Sequence, residues 1–299
     1  MRILVNDIEI KTKIFIRWFG YYKQAARTLS FAYLPVEKSC HVGDKVVMYD
    51  DDGNLVFTGM CIDNYYNTSQ KVYNVDCFDL LYNMLKSKAF GRFTGTSADI
   101  CRKVCNIFNL NSKISLSGQS QQLISTGDFR YYDVMAKALR RDIGNEYFNI
   151  QAKGNDVYLN IPNDSDVVAT LTSQTNIREA DYSETVRRMI NKIVVLDDFG
   201  AIVTSKQNSE NLSKFGLMQN VVTEQYTDDF KLVMPELHGV DYTGSLVIDG
   251  NIKCLTGKNV NIVEPNTGFV GKFFILNDEH IWQNDSYITR LGILYDVKR

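Results

Sequence analysis

Residues Cys40-His41-Val42-Gly43-Asp44-Lys45-Val46-Val47-Met48 return, 214 positions later, as Cys254-Leu255-Thr256-Gly257-Lys258-Asn259-Val260-Asn261-Ile262. The shared pattern, without a gap, is Cys-x-x-Gly-x-x-Val-x-Met/Ile. A turn follows each copy, at 50–54 and at 264–268. Further on, Met60 and Ile62 correspond to Phe274 and Leu276, and Tyr73, Val75 and Cys77 to Tyr287, Thr289 and Leu291. Identities are few. The parity is kept throughout, and in a strand parity decides which sheet face a side chain occupies. Two readings follow: two unrelated β-meanders laid over one another, or two related β-domains, one at each end of the chain. No period of the solenoid kind is present.

Around the first copy the sequence reads as strands. Ile8-Glu9-Ile10, Ile14-Phe15-Ile16-Arg17 and the alternating Leu29–Tyr33 run are followed by Lys45–Tyr49 and Leu55-Val56-Phe57. The last two are separated by Asp50-Asp51-Asp52-Gly53-Asn54, where Gly53 supplies the positive φ that a hairpin turn needs. Lys71 to Cys77 alternates again. Five or six strands in about 80 residues suggest a small barrel or sandwich.

The character changes at residue 86. Thr96-Ser97-Ala98-Asp99 has the form of a capping box, with Ile100, Val104, Ile107 and Phe108 behind it at helical spacing. A second helix is expected from Tyr131 to Ile143, and a hairpin from Tyr147 to Ile161 turning at Gly154-Asn155. Strands return from 186 with Ile193–Leu196 and the Asp198-Phe199-Gly200 turn. Residues 206–240 are polar and partly helical in character, and the last 55 are strand-like. The expected class is therefore α+β, mainly β. Its domains are a first β-barrel at 1–85, an α+β domain at 86–178, and a second β-barrel at 179–299 with a small insertion near 206–243.

The 299 residues alone suggest two domains, and 44% hydrophobic with 23% charged residues is ordinary globular composition. Four prolines against 17 tyrosines and 16 phenylalanines suit half-buried pleated surfaces. The net charge is −2, which excludes the global basic field of a non-specific DNA binder. It conceals an uneven division. Residues 86–145 carry 10 Lys/Arg against 4 Asp/Glu, and 146–299 carry 14 against 21. The basic block reads either as a solvated face or as a docking surface for an acidic partner. No apolar run approaches the ~20 residues of a membrane span, and no signal-peptide pattern opens the chain.

Catalytic and metal constellations are poor. His41, His238 and His280 are scattered, with no HExxH motif. Cys101 and Cys105 sit at i, i+4 with no second pair and read as buried apolar cysteines, and all six cysteines read as reduced thiols. Asp50–Asn54 lacks the spacing of a calcium loop. No nucleophile elbow, Walker loop or dinucleotide fingerprint occurs. The expectation is a non-enzyme with no cofactor and no metal.

The second half carries Met189-Ile190-Asn191-Lys192-Ile193-Val194-Val195, Asp198-Phe199-Gly200, Lys214–Gln219, Gly250–Val260 and Gly271–His280. In these stretches it resembles the XkdQ/YqbQ group of baseplate hub proteins from contractile tails of phages, defective prophages and phage-tail-like bacteriocins. Gly43-Asp44-Lys45-Val46 with Thr58-Gly59 is similar to the corresponding N-terminal piece. The resemblance, which extends to the T-even phage hub and VgrG, implies two β-barrel tube domains per chain and a homotrimer whose six barrels form a ring. Such a ring joins a sixfold tail tube to a threefold spike. It implies as partners the tail tube protein, the central spike, a LysM-type tail protein and baseplate wedge proteins. DNA at most passes through the channel, and nothing inserts into a membrane. The chain would be made in the bacterial cytoplasm and assembled into a virion or bacteriocin particle. The residues singled out are the structural turn positions Gly43, Gly53, Gly59, Gly200, Gly257 and Gly271. Two other readings are a tail-associated cell-wall hydrolase and a tail-tip or adsorption protein, the latter suggested by the many tyrosines.

Overall fold

The computed structural model describes residues 1–22, 26–36, 39–144, 148–161, 167–225 and 235–294. Tyr147, expected to open a hairpin, and 226–234 of the expected insertion lie outside the described residues. The described residues divide into two compact units: 1–180 with 245–294, and 181–244. The mainly-β, α+β class is the one observed.

In the first unit the N-terminal strands are β1 (Arg2–Val5), β2 (Ile8–Ile10), β3 (Lys13–Tyr21), β4 (Thr28–Tyr33), β5 (Lys45–Tyr49), β6 (Leu55–Asn67) and β7 (Val72–Asp79). They lie in the order β3-β4-β7-β6-β5-β1-β2. Alternating side chains from these strands (Ile3, Ile10, Trp18, Phe31, Met48, Phe57, Val75) meet in one core. That is the outcome of period-2 patterning on a sheet with one buried face.

The α+β part follows: α1 (Tyr82–Lys86), β8 (Lys88–Gly95), α2 (Ser97–Ile107), β9 (Asn111–Ser112), β10 (Gln121–Arg130), α3 (Tyr131–Ile143), β11 (Asn149–Lys153) and β12 (Asp156–Asn160). Helix α2 begins with the expected capping box, Thr96 and Asp99 each accepting the other's backbone N–H. Ile100, Cys101, Val104 and Cys105 of α2 pack with Val134, Met135, Ala138 and Leu139 of α3 in a second core. The β8–β10 pair was not foreseen. Its strands (KAFGRFTG, QQLISTGDFR) mix glycine and polar residues without a clean alternation.

The C-terminal strands are β13 (Val167–Thr172) and β14 (Ile177–Thr185), and, further along the chain, β18 (Asp241–Asp249), β19 (Asn259–Glu264), β20 (Phe269–Gln283) and β21 (Ser286–Leu294). Between them lie β15 (Lys192–Leu196), β16 (Ile202–Gln207), α4 (Ser209–Phe215) and β17 (Gln219–Thr223). There β15 pairs antiparallel with β16 and parallel with β17, and α4 makes the crossover that a parallel pair requires.

The C-terminal order β14-β18-β21-β20-β19-β13 repeats the N-terminal order β3-β4-β7-β6-β5-β1 strand for strand. The register repeats too. Lys45↔Met60, Val46↔Gly59 and Met48↔Phe57 recur as Asn259↔Phe274, Val260↔Phe273 and Ile262↔Gly271. A bulge follows at Cys61/Asp63 in one copy and at Ile275/Asn277 in the other. The entry turns match bond for bond. Gly43 N–H donates to Cys61 O and Cys61 N–H to Asp44 O, as Gly257 N–H donates to Ile275 O and Ile275 N–H to Lys258 O, all at 2.9–3.0 Å.

Two departures are instructive. The ungapped correspondence slips by two residues in the third strand, so Tyr73, Val75 and Cys77 match Thr289, Leu291 and Ile293 instead of Tyr287, Thr289 and Leu291. The cause is a longer hairpin with a tighter turn: Trp282↔Tyr287 and Gln283↔Ser286 extend the ladder by two further pairs, and the two-residue turn Asn284-Asp285, both at positive φ (50° and 57°), replaces the four residues 68–71, a net gain of two. A slip of two keeps every side chain on its face, and so the sequence pattern cannot reveal it. The other departure is at the flank: β1 runs antiparallel to β5, whereas β13 runs parallel to β19.

The turn glycines give a direct check. Gly43 sits at φ 92° with nothing within 4 Å of where a Cβ would stand, and Gly257 at φ 87° with Asn149 Cβ 3.0 Å from that position. Gly43→Ala is expected to cost about 1–2 kcal/mol from backbone strain alone, and Gly257→Ala measurably more. Urea denaturation of both variants checks the ranking.

Candidate functional site

The two copies meet along one strand pair within the first unit. The first part of β20 pairs with β19, and its second part, Asn277 to Gln283, pairs antiparallel with β3 of the other copy from Tyr21 to Phe15. One copy thereby continues the sheet of the other.

A buried charge cluster marks this joint. Asp278 and Arg27 form a two-pronged pair, Arg27 Nη1 donating to Oδ1 at 3.0 Å and Nη2 to Oδ2. Asp278 is 1% exposed and Arg27 8%. The Thr256 amide donates to Asp278 Oδ1 (2.6 Å), and its hydroxyl lies 2.6 Å from the same oxygen and 3.0 Å from Gly20 O. Arg27 stacks on Trp18, 4.0 Å from the ring centroid. A Cβ on Gly20 would stand 2.5 Å from Arg27 Nη1, so the guanidinium occupies the space that glycine leaves. His280 Nε2 lies 3.2 Å from Asp278 Oδ2, and its Nδ1 is 2.9 Å from Tyr287 OH. Outside the cluster, Glu279 receives Arg17 across the joint and Arg290 from the neighbouring strand.

Burial would push the Asp278 carboxyl up, but the Arg27 charge and the hydrogen bonds outweigh it and hold the group well below the usual carboxylate range. Burial pulls His280 down against the opposing pull of Asp278, favouring the neutral imidazole. Asp79, whose oxygens accept the Arg27 and Leu81 amides at 3.0 Å each, is pushed up to about 7 by burial.

The second entry turn also holds the α+β part. Asn149 and Gln151 donate to Thr256 O (3.3 and 2.9 Å), Asn160 donates to Gly257 O, and Lys258 Nζ donates to Asn160 Oδ1 at 2.7 Å. Sequence reading singled out Gly257 but missed Arg27, Asp278 and Thr256. A buried ion pair 251 residues apart in sequence leaves no local pattern.

Of the other singled-out glycines, Gly53 and Gly200 occupy hairpin turns at φ 81° and 83°, and Gly271 lies within β20 at φ 123°. Gly59 differs: its φ is not positive, and a Cβ there would stand 2.2 Å from Phe78 O and 2.5 Å from the Phe57 ring. The structure does not gather these six into one site. All six cysteines are buried free thiols. Burial pushes Cys105 up to about 11 and Cys254 up to about 12, so both remain protonated near neutrality. Among the described residues no group of three His, Cys, Asp or Glu side chains is placed to hold a metal ion, and no helix is long and apolar enough to cross a membrane.

Two outcomes are expected. Arg27→Met leaves the Asp278 charge buried without its partner and should cost roughly 3–5 kcal/mol, part of it regained in Arg27→Met/Asp278→Leu. Urea midpoints of both variants measure this. Because Asp79 is raised to about 7, the folded chain holds that proton more tightly than the unfolded chain. Its contribution to stability is present below about pH 4 and is lost as pH rises through 7. Asp79→Asn should remove roughly 2 kcal/mol of the stability difference between pH 5 and pH 8.

Comparison with known proteins adds the family. No curated protein sequence matches the chain. Among solved structures, the 43 kDa tail protein of prophage MuSo2 from Shewanella oneidensis superposes with a TM-score of 0.71 at 9% identity, covering 98% of this chain and 97% of that one. The tail protein from Neisseria meningitidis MC58 gives 0.71 at 13% identity, covering 99% and 96%. The E. coli c3393 protein is a component of the type VI secretion system with structural similarity to T4 bacteriophage tail proteins gp27 and gp5. It gives 0.60 at 8% identity, covering 100% and 78%. At such identities the likeness is one of fold. The family assignment rests on the match of a family model to residues 16–293, and by it this chain belongs to the YQBQ-like family.

Proposed function

We propose that this chain is a structural, non-enzymatic hub of a contractile-tail baseplate, acting as a homotrimer. The observation that carries the reading is the duplication itself, in which two strand sets of one order and one register lie in a single chain. Three chains then present six equivalent barrels, which is what an adapter between a sixfold tube and a threefold spike requires. The fold shared with phage tail proteins and a type VI secretion component supports the same reading.

In this account residues 1–85 form the first tube domain. The second is built from β18 to β21 (241–294) together with β13 and β14, because β13 pairs with β19. In this account the α+β domain closes at Ile161, ahead of the expected boundary at 178, and 186–240, between β14 and β18, is the insertion of the second tube domain, wider than the expected 206–243. The tail tube protein binds one face of the ring and the central spike the other, with LysM-type and wedge proteins outside. Phe199, 95% exposed at the β15–β16 turn, suits contact with such a neighbour. Synthesis in the bacterial cytoplasm precedes assembly into a phage or bacteriocin particle, and DNA at most passes through the channel.

Co-expression with the tail tube protein of the same particle tests this reading. Native mass spectrometry should give three copies of this chain per complex, and a zymogram on purified cell wall should show no clearing. A single copy bound to the tube, or lytic clearing, contradicts the proposal.

A further inference from the structure

Three of the six cysteines gather in one place. Cys40, Cys61 and Cys77 are all 0% exposed, in the core of the N-terminal strands. The thiols of Cys40 and Cys77 both lie within hydrogen-bonding reach of the Cys61 thiol. Packing does not call for sulfur here. The second copy fills the places of Cys61 and Cys77 with Ile275 and Ile293, both buried.

Backbone geometry selects one pair from the three. Cys61 of β6 and Cys77 of β7 stand directly opposite one another in an antiparallel ladder, so their side chains share a face. Opposed residues in such a ladder alternate between hydrogen-bonded pairs and closer, non-hydrogen-bonded ones. Cys61 turns both backbone groups away from β7: its N–H donates to Asp44 O and its carbonyl accepts from Gly43 N–H, each at 2.9 Å. On the facing strand Asp79, two residues beyond Cys77, donates its N–H to Arg27 O at 3.1 Å, just ahead of β4. By the strand period of two, Cys77 also turns its backbone to β4, where it is paired with Leu29. The Cys61–Cys77 pair is therefore of the non-hydrogen-bonded kind. Its Cα atoms stand about 4.5 Å apart, within the separation that a disulfide spans. Cys40 lies ahead of β5, outside the ladder, with its N–H donating to Tyr33 OH at 2.8 Å.

We propose that Cys61 and Cys77 form an oxidative modification site, which a small-molecule disulfide such as oxidised glutathione converts to an intrachain disulfide clasping β6 to β7. One thiolate attacks a sulfur of the oxidant and expels one glutathione thiolate. The other then attacks the protein sulfur of the mixed disulfide and expels the second glutathione. Two protein thiols are oxidised, and their two electrons and two protons leave on two molecules of reduced glutathione. Both thiols are closed to solvent, so the exchange passes through transient opening of the β6–β7 hairpin. The bond closes a loop over residues 61–77 in the first copy. The second copy, with isoleucine at both places, has no counterpart. The site stands independently of the hub reading.

The test is equilibration of the full chain in glutathione buffers of graded oxidation, both folded and in concentrated guanidinium chloride. Acid quenching, alkylation and tryptic mapping without reduction follow. Trypsin places the three thiols in separate peptides, 39–45, 46–71 and 72–86, so each pairing has its own linked mass. A link between 46–71 and 72–86 is expected. Its equilibrium constant should be roughly tenfold or more higher in the folded chain than in denaturant, because a bond that suits the fold is favoured by folding to the extent that it stabilises it. Six free thiols in the folded chain at every buffer ratio overturn the proposal. So does a link through 39–45 in its place, or a constant no greater in the folded chain than in denaturant. As a second arm, Cys40→Ala should keep the 46–71 to 72–86 link; its loss in a variant whose circular dichroism is unchanged overturns the pairing.

Discussion

The Arg27–Asp278 pair holds the architecture at its most demanding point, where one β-domain hands its sheet to the next. Backbone pairing alone would permit β20 to slide along β3, because every ladder offers the same donors and acceptors. The buried carboxylate removes that freedom. It is satisfied only where Arg27, the Thr256 amide and the Thr256 hydroxyl converge on it. A displaced register would strand a charge in the core at a cost of several kcal/mol. Thr256 itself belongs to the second Cys-x-x-Gly turn, whose carbonyls also receive the α+β hairpin. Register between the copies and attachment of the middle part therefore converge on the same few residues.

The duplication explains a feature of composition that looked unrelated. Cys40 and Cys254 are equivalent, but Cys61 and Cys77 stand where the second copy has Ile275 and Ile293, and all six are at most 1% exposed. Cysteine here fills the place of an aliphatic side chain, the ordinary behaviour of a buried thiol in a core. The same comparison separates what the two copies share from what each adds. The shared part is inward-facing and apolar; the differences lie at the flanking strand, the last hairpin and the exposed β6 and β14 edges.

Much of this was legible in the chain. The Cys-x-x-Gly turns, the Asp50–Asn54 and Asp198–Gly200 hairpins, the Thr96 capping box and the α3 stripe are local patterns, and local chemistry decides them. The parity match of the repeat held because strand period 2 writes the buried face into the sequence. The two-residue slip at Asn284-Asp285 was invisible for the same reason, since it leaves parity unchanged. The direction of β13, the β8–β10 pair and the Arg27–Asp278 cluster depend on partners far along the chain, which no local window contains.

The central claim is that three chains close a ring of six register-matched barrels. A density map of the assembled ring tests it most directly. The account predicts true threefold symmetry with six near-identical barrels at 60° intervals, and continuous sheet across every one of the six joints. A ring with another number of chains, or barrels separated by gaps at alternate joints, would contradict it.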